Sequence, residues 1–501
     1  MKEEMDAIVA NGTWSLTELP AGHRAIGLKW VYKVKRDQRG AIVRHKARLV
    51  AKGYVQRQGV DFEEVFAPVA RLESVRLMLA IAAHWGWPVH HMDMKSAFPN
   101  RDLQEEVYVA QPLGFIDKNR PAEVLHLHKA LYGLRQAPRA WNTKLDATLL
   151  SLGFKRSENE HGVYMRGKAQ NRLMVGIYVD DLIITGGDDV ELKAFKEDMK
   201  KQFQMSDLGT LSYYLGIEVC QGSSGITISQ ERYAYKLLER ADMIGCNPSS
   251  TPMESRLKLL KESTAPPVDA TTYRSIVGGL RYLLHTRPDI SFSVGYVSRF
   301  MEAPTEEHQA DVKCILRYIA GTAALGIHYK RGERKLPPQL HGYSDSDLAG
   351  DVNDRKSTGG VIFFLGDGPI SWQSCKQKLV ALSSCEAEYI TAATATCQGV
   401  WLARLLADLL DVEAGAPVLQ VDNKSAISLI KNPVHHDRTK HIDVKYHYVR
   451  ECAERGLINI QFIGTTEQLG DIFTKALGRL KHDELRTKIG LTKLLSNGNR
   501  S

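Results

Sequence analysis

Two adjacent acids, Asp180 and Asp181, stand between the apolar, β-prone runs Val175-Gly176-Ile177-Tyr178-Val179 and Leu182-Ile183-Ile184. The pattern predicts a tight hairpin with buried flanks and both carboxylates at its tip. Like charges so placed repel and are costly to desolvate, and a divalent cation relieves both penalties. A solvated turn is the ordinary reading of an isolated Asp-Asp pair, but a third acid, Asp93 in the strand-like run His91-Met92-Asp93-Met94, shifts the balance to metal. Three carboxylates can serve a two-Mg²⁺ phosphoryl-transfer site, because Mg²⁺ keeps most of its positions for water and substrate phosphates.

A second acidic set follows. Asp345 lies near the centre of the strand-like His341–Asp347, Glu388 in the first turns of an Ala-rich helix, Asp422 at the end of the strand Val418–Val421, and Asp471 where another helix opens. Each alone is an ordinary surface or capping acid. Glu386 competes with Glu388 but is explained as compensation of the helix dipole in the first turn, and Asp347 reads as a turn residue.

The elements that must hold these acids are mixed α and β. At 501 residues the chain has room for three or four domains. With 43% hydrophobic and 25% charged residues it is neither fibrous nor disordered. Apolar runs such as Leu77–Ala83 are too short to cross a bilayer, and Met1-Lys2-Glu3-Glu4 opens no signal peptide, so membrane and secreted classes are not expected. Seven scattered cysteines without a Cys-x-x-Cys pair read as reduced thiols of an intracellular protein. Helices are expected over 75–84, 141–152, 189–203, 386–410 and 424–431, with a mostly helical stretch at 273–320. The breaker-rich 246–272 and the charged, Pro-Pro segment 330–338 mark boundaries.

Charge is localised. Between Lys29 and Val60 ten Lys/Arg face one acid, Asp37, giving +9 in that window against +8 for the whole chain. Alternation of Lys29, Lys33 and Lys35 with Trp30, Tyr32 and Val34, then Arg36–Gly40 as a turn, describes a hairpin with a cationic face. It is either a solvated basic face or a phosphate-tracking surface, and the asymmetry favours the latter.

Ordered motifs then give the sequence a family likeness: Lys29–Lys33, Lys46–Gly53, Met92–Phe98, Leu131–Trp141, Tyr178–Asp181, Tyr214–Val219 and Thr286–Ile290. Over nearly its whole length the chain resembles the reverse transcriptase and ribonuclease H portion of copia-type, plant-like retrotransposon Pol polyproteins. The resemblance implies a right-hand polymerase followed by a ribonuclease H-like α/β domain. Its divisions would be a lead-in (1–25), fingers and palm (26–245), a helical thumb or connection (246–335), the ribonuclease H-like domain (336–485) and a tail (486–501).

It further implies RNA-directed DNA synthesis and cleavage of RNA–DNA hybrids, with two Mg²⁺ or Mn²⁺ ions per site. Asp93, Asp180 and Asp181 would hold one pair, and Asp345, Glu388, Asp422 and Asp471 the other; the family's Glu-Tyr step selects Glu388. Arg48 would contact the triphosphate with Lys46 and Lys52 nearby, Phe98 would crowd the sugar 2′ position, and Gln136 and Tyr178 would line the nucleotide pocket. Gln136 also reads as a plain polar residue at a helix start. The implied partners are RNA template, DNA primer, hybrid, deoxynucleoside triphosphates and other Gag and Pol products, in a cytoplasmic particle or the nucleus. Helices around Tyr273–Leu280 and Ile315–Ile319 would pack under the duplex.

Two positions depart from the family: Pro99 and Arg101 stand where Leu and Gly are usual, and a proline directly after the sugar gate constrains the turn there. No loop histidine precedes Asp471, so no proton shuttle is assigned. His435, His436, His441 and His447 read as substrate-contacting or structural rather than zinc-binding. The opening residues read as the start of the polymerase, which suggests a cleaved product or truncated copy. The alternative reading is a decayed or co-opted element that binds nucleic acid without catalysis.

Overall fold

The computed structural model describes residues 1–36, 42–94, 102–168, 171–332, 338–431 and 444–493. The expected mixed α/β architecture is present. Phe98, Pro99 and Arg101, the turn at 37–40, and His435, His436 and His441 lie outside the described residues.

Six antiparallel strands form the sheet that carries the first acidic set. Their spatial order is Met205–Thr210, Val89–Met94, Asp181–Gly186, Leu173–Tyr178, Val163–Arg166 and Lys155–Arg156. Period-two alternation gives it two apolar faces. Met92, Val175, Ile177, Leu182 and Ile184 pack with helices Ala137–Ser151 and Asp189–Gln202. Val89, Met174 and Ile183 pack with helix Leu72–Trp85. Gly176 permits that second contact, because a Cβ there would come within 3.1 Å of the Met78 sulfur.

The basic hairpin is Leu28–Arg36 paired with Ile42–Ala51. Its register sets Lys33 opposite Lys46 and Val31 opposite Arg48, so Lys29, Lys33, Lys46 and Arg48 share one face. The first 25 residues are more than a lead-in: Trp14–Thr17 pairs with Val124–Lys129, which also pairs with Asp102–Val109.

Helices Ala270–Leu283, Ser291–Val297 and Glu306–Thr322 form a bundle whose core includes Tyr273, Leu280, Ile315 and Tyr318. The Thr286–Ile290 motif lies inside it. Arg287 and Asp289 are buried and bonded through two N–H···O contacts of 2.9 and 2.7 Å, Tyr318 donates to Asp289, and Arg486 donates to Tyr318. Burial pushes the Asp289 carboxyl up, but the Arg287 charge outweighs it and holds the group below the ordinary range. Its stabilising contribution is therefore present above the unfolded value of about 3.9 and is lost as pH falls through the folded one. Arg287→Met, which leaves the buried carboxylate uncompensated, is expected to cost about 3–5 kcal/mol in urea unfolding at pH 7; a loss under 1 kcal/mol would contradict this account.

The C-terminal sheet has the order Gly368–Lys376, Thr358–Leu365, Leu340–Ser346, Val418–Val421, Asn459–Phe462, antiparallel in its first half and parallel in its second. Helix Ser384–Leu410 packs on it, started by the Ser383 side chain, which accepts from the Glu386 N–H. A further sheet crosses the expected divisions, joining Tyr213–Tyr214, Ile217–Gly222, Gly225–Ser229, Leu325–Lys330 and Leu491–Lys493. The expected tail is thus anchored: residues 486–488 end helix Arg479–Lys488, and Leu491–Lys493 is a strand. Among the described residues no helix is long and apolar enough to cross a membrane.

Candidate functional site

In the first centre the hairpin turn is Val179-Asp180, closed by the pair Tyr178 and Asp181. Val179 adopts a left-handed φ of 59°, and its carbonyl accepts a 2.6 Å hydrogen bond from the indole of buried Trp141, which fixes the tip. Asp93 is the cross-strand partner of Asp181, and the Met94 N–H donates to the Asp180 carbonyl at 3.1 Å. The register therefore brings all three acids to one sheet end. His91 Nε2 lies 2.8 Å from Asp181 Oδ1. Burial, then the charges of Asp181 and Asp93, push the Asp180 carboxyl above the ordinary range, while Arg48 draws it back.

Arg48 lies on the basic hairpin with its guanidinium 4.8 Å from the Tyr132 ring centroid. Two glycines let its strand meet the loop that carries Tyr132: a Cβ on Gly133 would clash with the Ala51 carbonyl, and one on Gly53 with the Gly133 carbonyl. Lys52 lies alongside Gly27. Tyr178 is 37% exposed beside the acids. Gln136 is only 2% exposed; its amide accepts from Gln56 at 3.0 Å and donates to the Asp61 carbonyl at 3.1 Å. Those bonds tie the segment after the hairpin to helix Ala137–Ser151, and a nucleotide contact would require them to open.

The second centre sits where the order of the C-terminal sheet reverses. Strands Leu340–Ser346 and Val418–Val421 are parallel neighbours whose connections leave toward opposite edges, opening a crevice at their carboxyl ends. Asp345 and Asp422 occupy those ends, and Glu388 enters from the helix. Ligand oxygens of Asp345, Glu388 and Asp422 all lie within 4.8 Å of one another, the one such group found among the described residues.

Glu388 Oε1 accepts from the Ser346 N–H at 3.0 Å, whereas its Oε2 is buried without a hydrogen-bond partner. Burial first, then the charge of Asp471 on Asp345 and those of Asp345 and Asp422 on Glu388, raises both carboxyls well above the ordinary range. An orphaned carboxylate oxygen in a buried cluster of like charges fits a divalent cation. Glu386 instead accepts from the Leu382 N–H at 2.8 Å, and Asp347 from the Thr358 N–H at 2.6 Å, both local structural roles.

Asp471 lies in the helix expected there, a five-residue 3-10 helix over Leu469–Phe473. That turn is pinned over Asp345: Gln468 donates to the Ser344 carbonyl and accepts from the Gly470 N–H, both at 2.9 Å, and Thr474 donates to Asp345. The Asp471 carboxylate is held by Lys475 at 2.6 Å. His447 lies 2.8 Å from the Tyr389 hydroxyl, next to Glu388.

Sequence reasoning passed over His91, Trp141 and Lys475 as contributors. His91 was detectable from period two, since it shares the strand face of Asp93. The Trp141 contact is tertiary and leaves no local signal, whereas Lys475 stands four residues after Asp471, a spacing the sequence displays.

Residues 11–255 match the family model described as reverse transcriptase (RNA-dependent DNA polymerase). The chain is 42% identical over 495 residues to the retrovirus-related Pol polyprotein from transposon RE1 of Arabidopsis thaliana, covering 99% of this chain and 34% of that protein. It is 36% identical over 305 residues to a transposon Ty5-1 protein of Saccharomyces cerevisiae, covering 60% of this chain and 98% of that one. The chain thus spans about a third of the plant polyprotein. Among solved structures, the foamy viral protease-reverse transcriptase in complex with RNA/DNA hybrid shares the fold, with a TM-score of 0.53 at 11% identity over 92% of this chain and 52% of that one.

Proposed function

The chain belongs to the reverse transcriptase family of copia-type retrotransposon Pol polyproteins, and from that premise we propose that it synthesises DNA on an RNA template at the first centre and cleaves the RNA of the resulting hybrid at the second. The observation that carries the polymerase reading is the register of Asp181 against Asp93 beneath the Val179-Asp180 turn. The convergence of Asp345, Glu388 and Asp422 supports the nuclease reading.

Asp93, Asp180 and Asp181 would hold Mg²⁺ or Mn²⁺ at the first centre, and Asp345, Glu388, Asp422 and Asp471 at the second, two ions in each. Bound divalent ions supply charge neutralisation on the phosphates and a lowered pKa for the attacking hydroxyl or water. His91 orients the Asp181 carboxylate, and Trp141 fixes the tip that carries Asp180. Arg48, on a strand and stacked on Tyr132, presents a rigid cation to the triphosphate, with Lys46 and Lys52 on the same hairpin. Tyr178 lines the nucleotide side of the hairpin; Gln136 would act there only by exchanging its present bonds. Template, primer, hybrid and deoxynucleotides are the proposed partners, together with other products of the element.

Phe98 is proposed as the sugar gate. Phe98→Val should raise ribonucleotide relative to deoxynucleotide incorporation in primer extension; unchanged discrimination would remove it from the site. The cationic face offers a separate test. Lys33→Ala with Lys46→Ala should flatten the slope of log affinity against log salt for a hybrid by up to about 1.8, since each neutralised phosphate contributes about 0.9. The effect should not depend on sequence, because phosphate contacts carry no base information. An unaltered slope would make the hairpin a solvated face.

A further inference from the structure

The helix that brings Glu388 to the second centre also reaches the sheet of the first. Helix Ser384–Leu410 runs for 27 residues, and Asp408 lies beyond Glu388 by about 30 Å along its axis at about 1.5 Å per residue. Asp408 Oδ2 accepts from the Ser157 hydroxyl at 2.6 Å and from the Asn159 amide at 2.8 Å. Two turns earlier the Trp401 indole donates to the Asn159 carbonyl at 2.9 Å. Arg172 grips the helix end itself. Its guanidinium donates to the Leu409 carbonyl at 2.9 Å and to the Asp408 carbonyl, which sets a buried cation where the last carbonyls lack helical partners and the dipole is negative.

These contacts fall at both ends of the strand that leads to Asp180. Arg172 immediately precedes strand Leu173–Tyr178. Near the other end Ile177 donates its N–H to the Gly162 carbonyl at 2.8 Å and accepts from the Ala70 N–H at 3.0 Å. Gly162 ends the turn that Ser157 begins, and the Ser157 hydroxyl oxygen accepts from the Asn159 and Glu160 N–H groups, each at 3.1 Å. Glu160 accepts in turn from the Ser74 hydroxyl at 3.0 Å, tying the turn to helix Leu72–Trp85. Gly162 packs so closely that a Cβ there would come within 2.4 Å of the Ala70 nitrogen. A continuous run of hydrogen bonds and close packing therefore leads from Asp408 through the 157–162 turn to Ile177, three residues before Asp180.

We propose that Asp408 is a positioning residue for DNA synthesis: from the C-terminal helix its carboxylate fixes the 157–162 turn, and through Gly162 and Ile177 the strand that leads to Asp180. The proposal rests on the polymerase reading of the first centre. Both side-chain bonds end on the single oxygen Oδ2, so the role needs an acceptor at that place rather than a charge. The bonds from Arg172 go to backbone carbonyls and do not depend on the Asp408 side chain.

Two measurements on the full chain test it. In primer extension on poly(rA) primed with oligo(dT), Asp408→Leu is expected to lower kcat by on the order of 10- to 100-fold, the scale set by a small misplacement of reacting groups. The KM for dTTP, hybrid affinity and hybrid cleavage should stay at the parent's level, and Asp408→Asn should recover the parent's rate. Hydrogen–deuterium exchange, which requires no activity, should quicken over 157–162 and 173–180 in Asp408→Leu while the C-terminal sheet exchanges as in the parent. Asn159→Ala, on the other side of the contact, should give the same pattern more weakly and keeps the test independent of how the helix tolerates leucine. An unchanged kcat, or exchange at 173–180 equal to the parent's, would overturn the proposal. So would an Asn variant as impaired as the Leu variant, or a parallel loss of cleavage, which marks a merely structural contact. If exchange responds as expected but the parent extends no primer, it is the polymerase reading that has failed.

Discussion

Asp180→Asn is expected to abolish primer extension, by a factor on the order of 10³ or more, while hybrid binding and hybrid cleavage persist. The substitution keeps shape but exchanges one acceptor oxygen for a donor amide and removes one charge from the hairpin tip. There the loss falls on groups whose electrostatic effect in a partly buried site is large. The fold should tolerate it. Asp180 is pushed above the ordinary carboxylate range by burial and by Asp181 and Asp93, so neutralising it relieves repulsion in the metal-free protein. Retained synthesis in this variant would remove Asp180 from the catalytic set, and loss of hybrid binding would show that the change had acted on the fold.

Glu388→Gln should produce the mirror image: hybrid cleavage lost to a similar extent, DNA synthesis retained. Glu388 brings to the cluster an oxygen with no hydrogen-bond partner and a carboxyl that burial and its neighbours disfavour when charged. The amide should therefore leave the metal-free protein as stable as the parent or slightly more so. The stabilisation that Mg²⁺ gives the folded state by binding it selectively should be smaller than in the parent, read as a smaller rise in Tm on titration. An undiminished rise together with undiminished cleavage would exclude Glu388 as a ligand. The pair of variants separates the two centres within one chain, and neither result alone would do so.

The hairpin of the first centre was legible because its signal is local, whereas the four acids of the second were gathered only by the family likeness. The apolar, β-prone runs on either side of Asp180 and Asp181 specified the hairpin and its buried flanks, and strand Val418–Val421 and the Ala-rich helix behind Glu388 follow from short-range patterning. The choice of Glu388 over Glu386 was available from the dipole argument, and Glu386 does take a helix-start role, accepting from the Leu382 N–H.

What escaped was non-local. The sheet joining Ile217–Gly222, Leu325–Lys330 and Leu491–Lys493 draws on three distant segments, so breaker-rich stretches could mark loops without showing that one sheet spans them. For the same reason Trp14–Thr17 was not seen as part of the sheet beside the basic hairpin. Asp471 was expected where a helix opens, and the helix there is the five-residue 3-10 turn Leu469–Phe473. Gln468, Gly470 and Thr474 anchor it as a single tight turn over Asp345. The glutamine of the Leu131–Trp141 motif is a similar case: type and position suggest a pocket, while its partners Gln56 and Asp61 come from a segment that sequence spacing does not relate to it.

The central claim, that the chain is a polymerase rather than a binding relic, is tested most directly by primer extension with the 501-residue protein on poly(rA) primed with oligo(dT), in Mg²⁺ or Mn²⁺. The account predicts incorporation of dTTP that depends on the divalent ion and disappears in Asp180→Asn. Binding of the primed template without any incorporation under either ion would contradict it and would favour the reading of a co-opted, non-catalytic element.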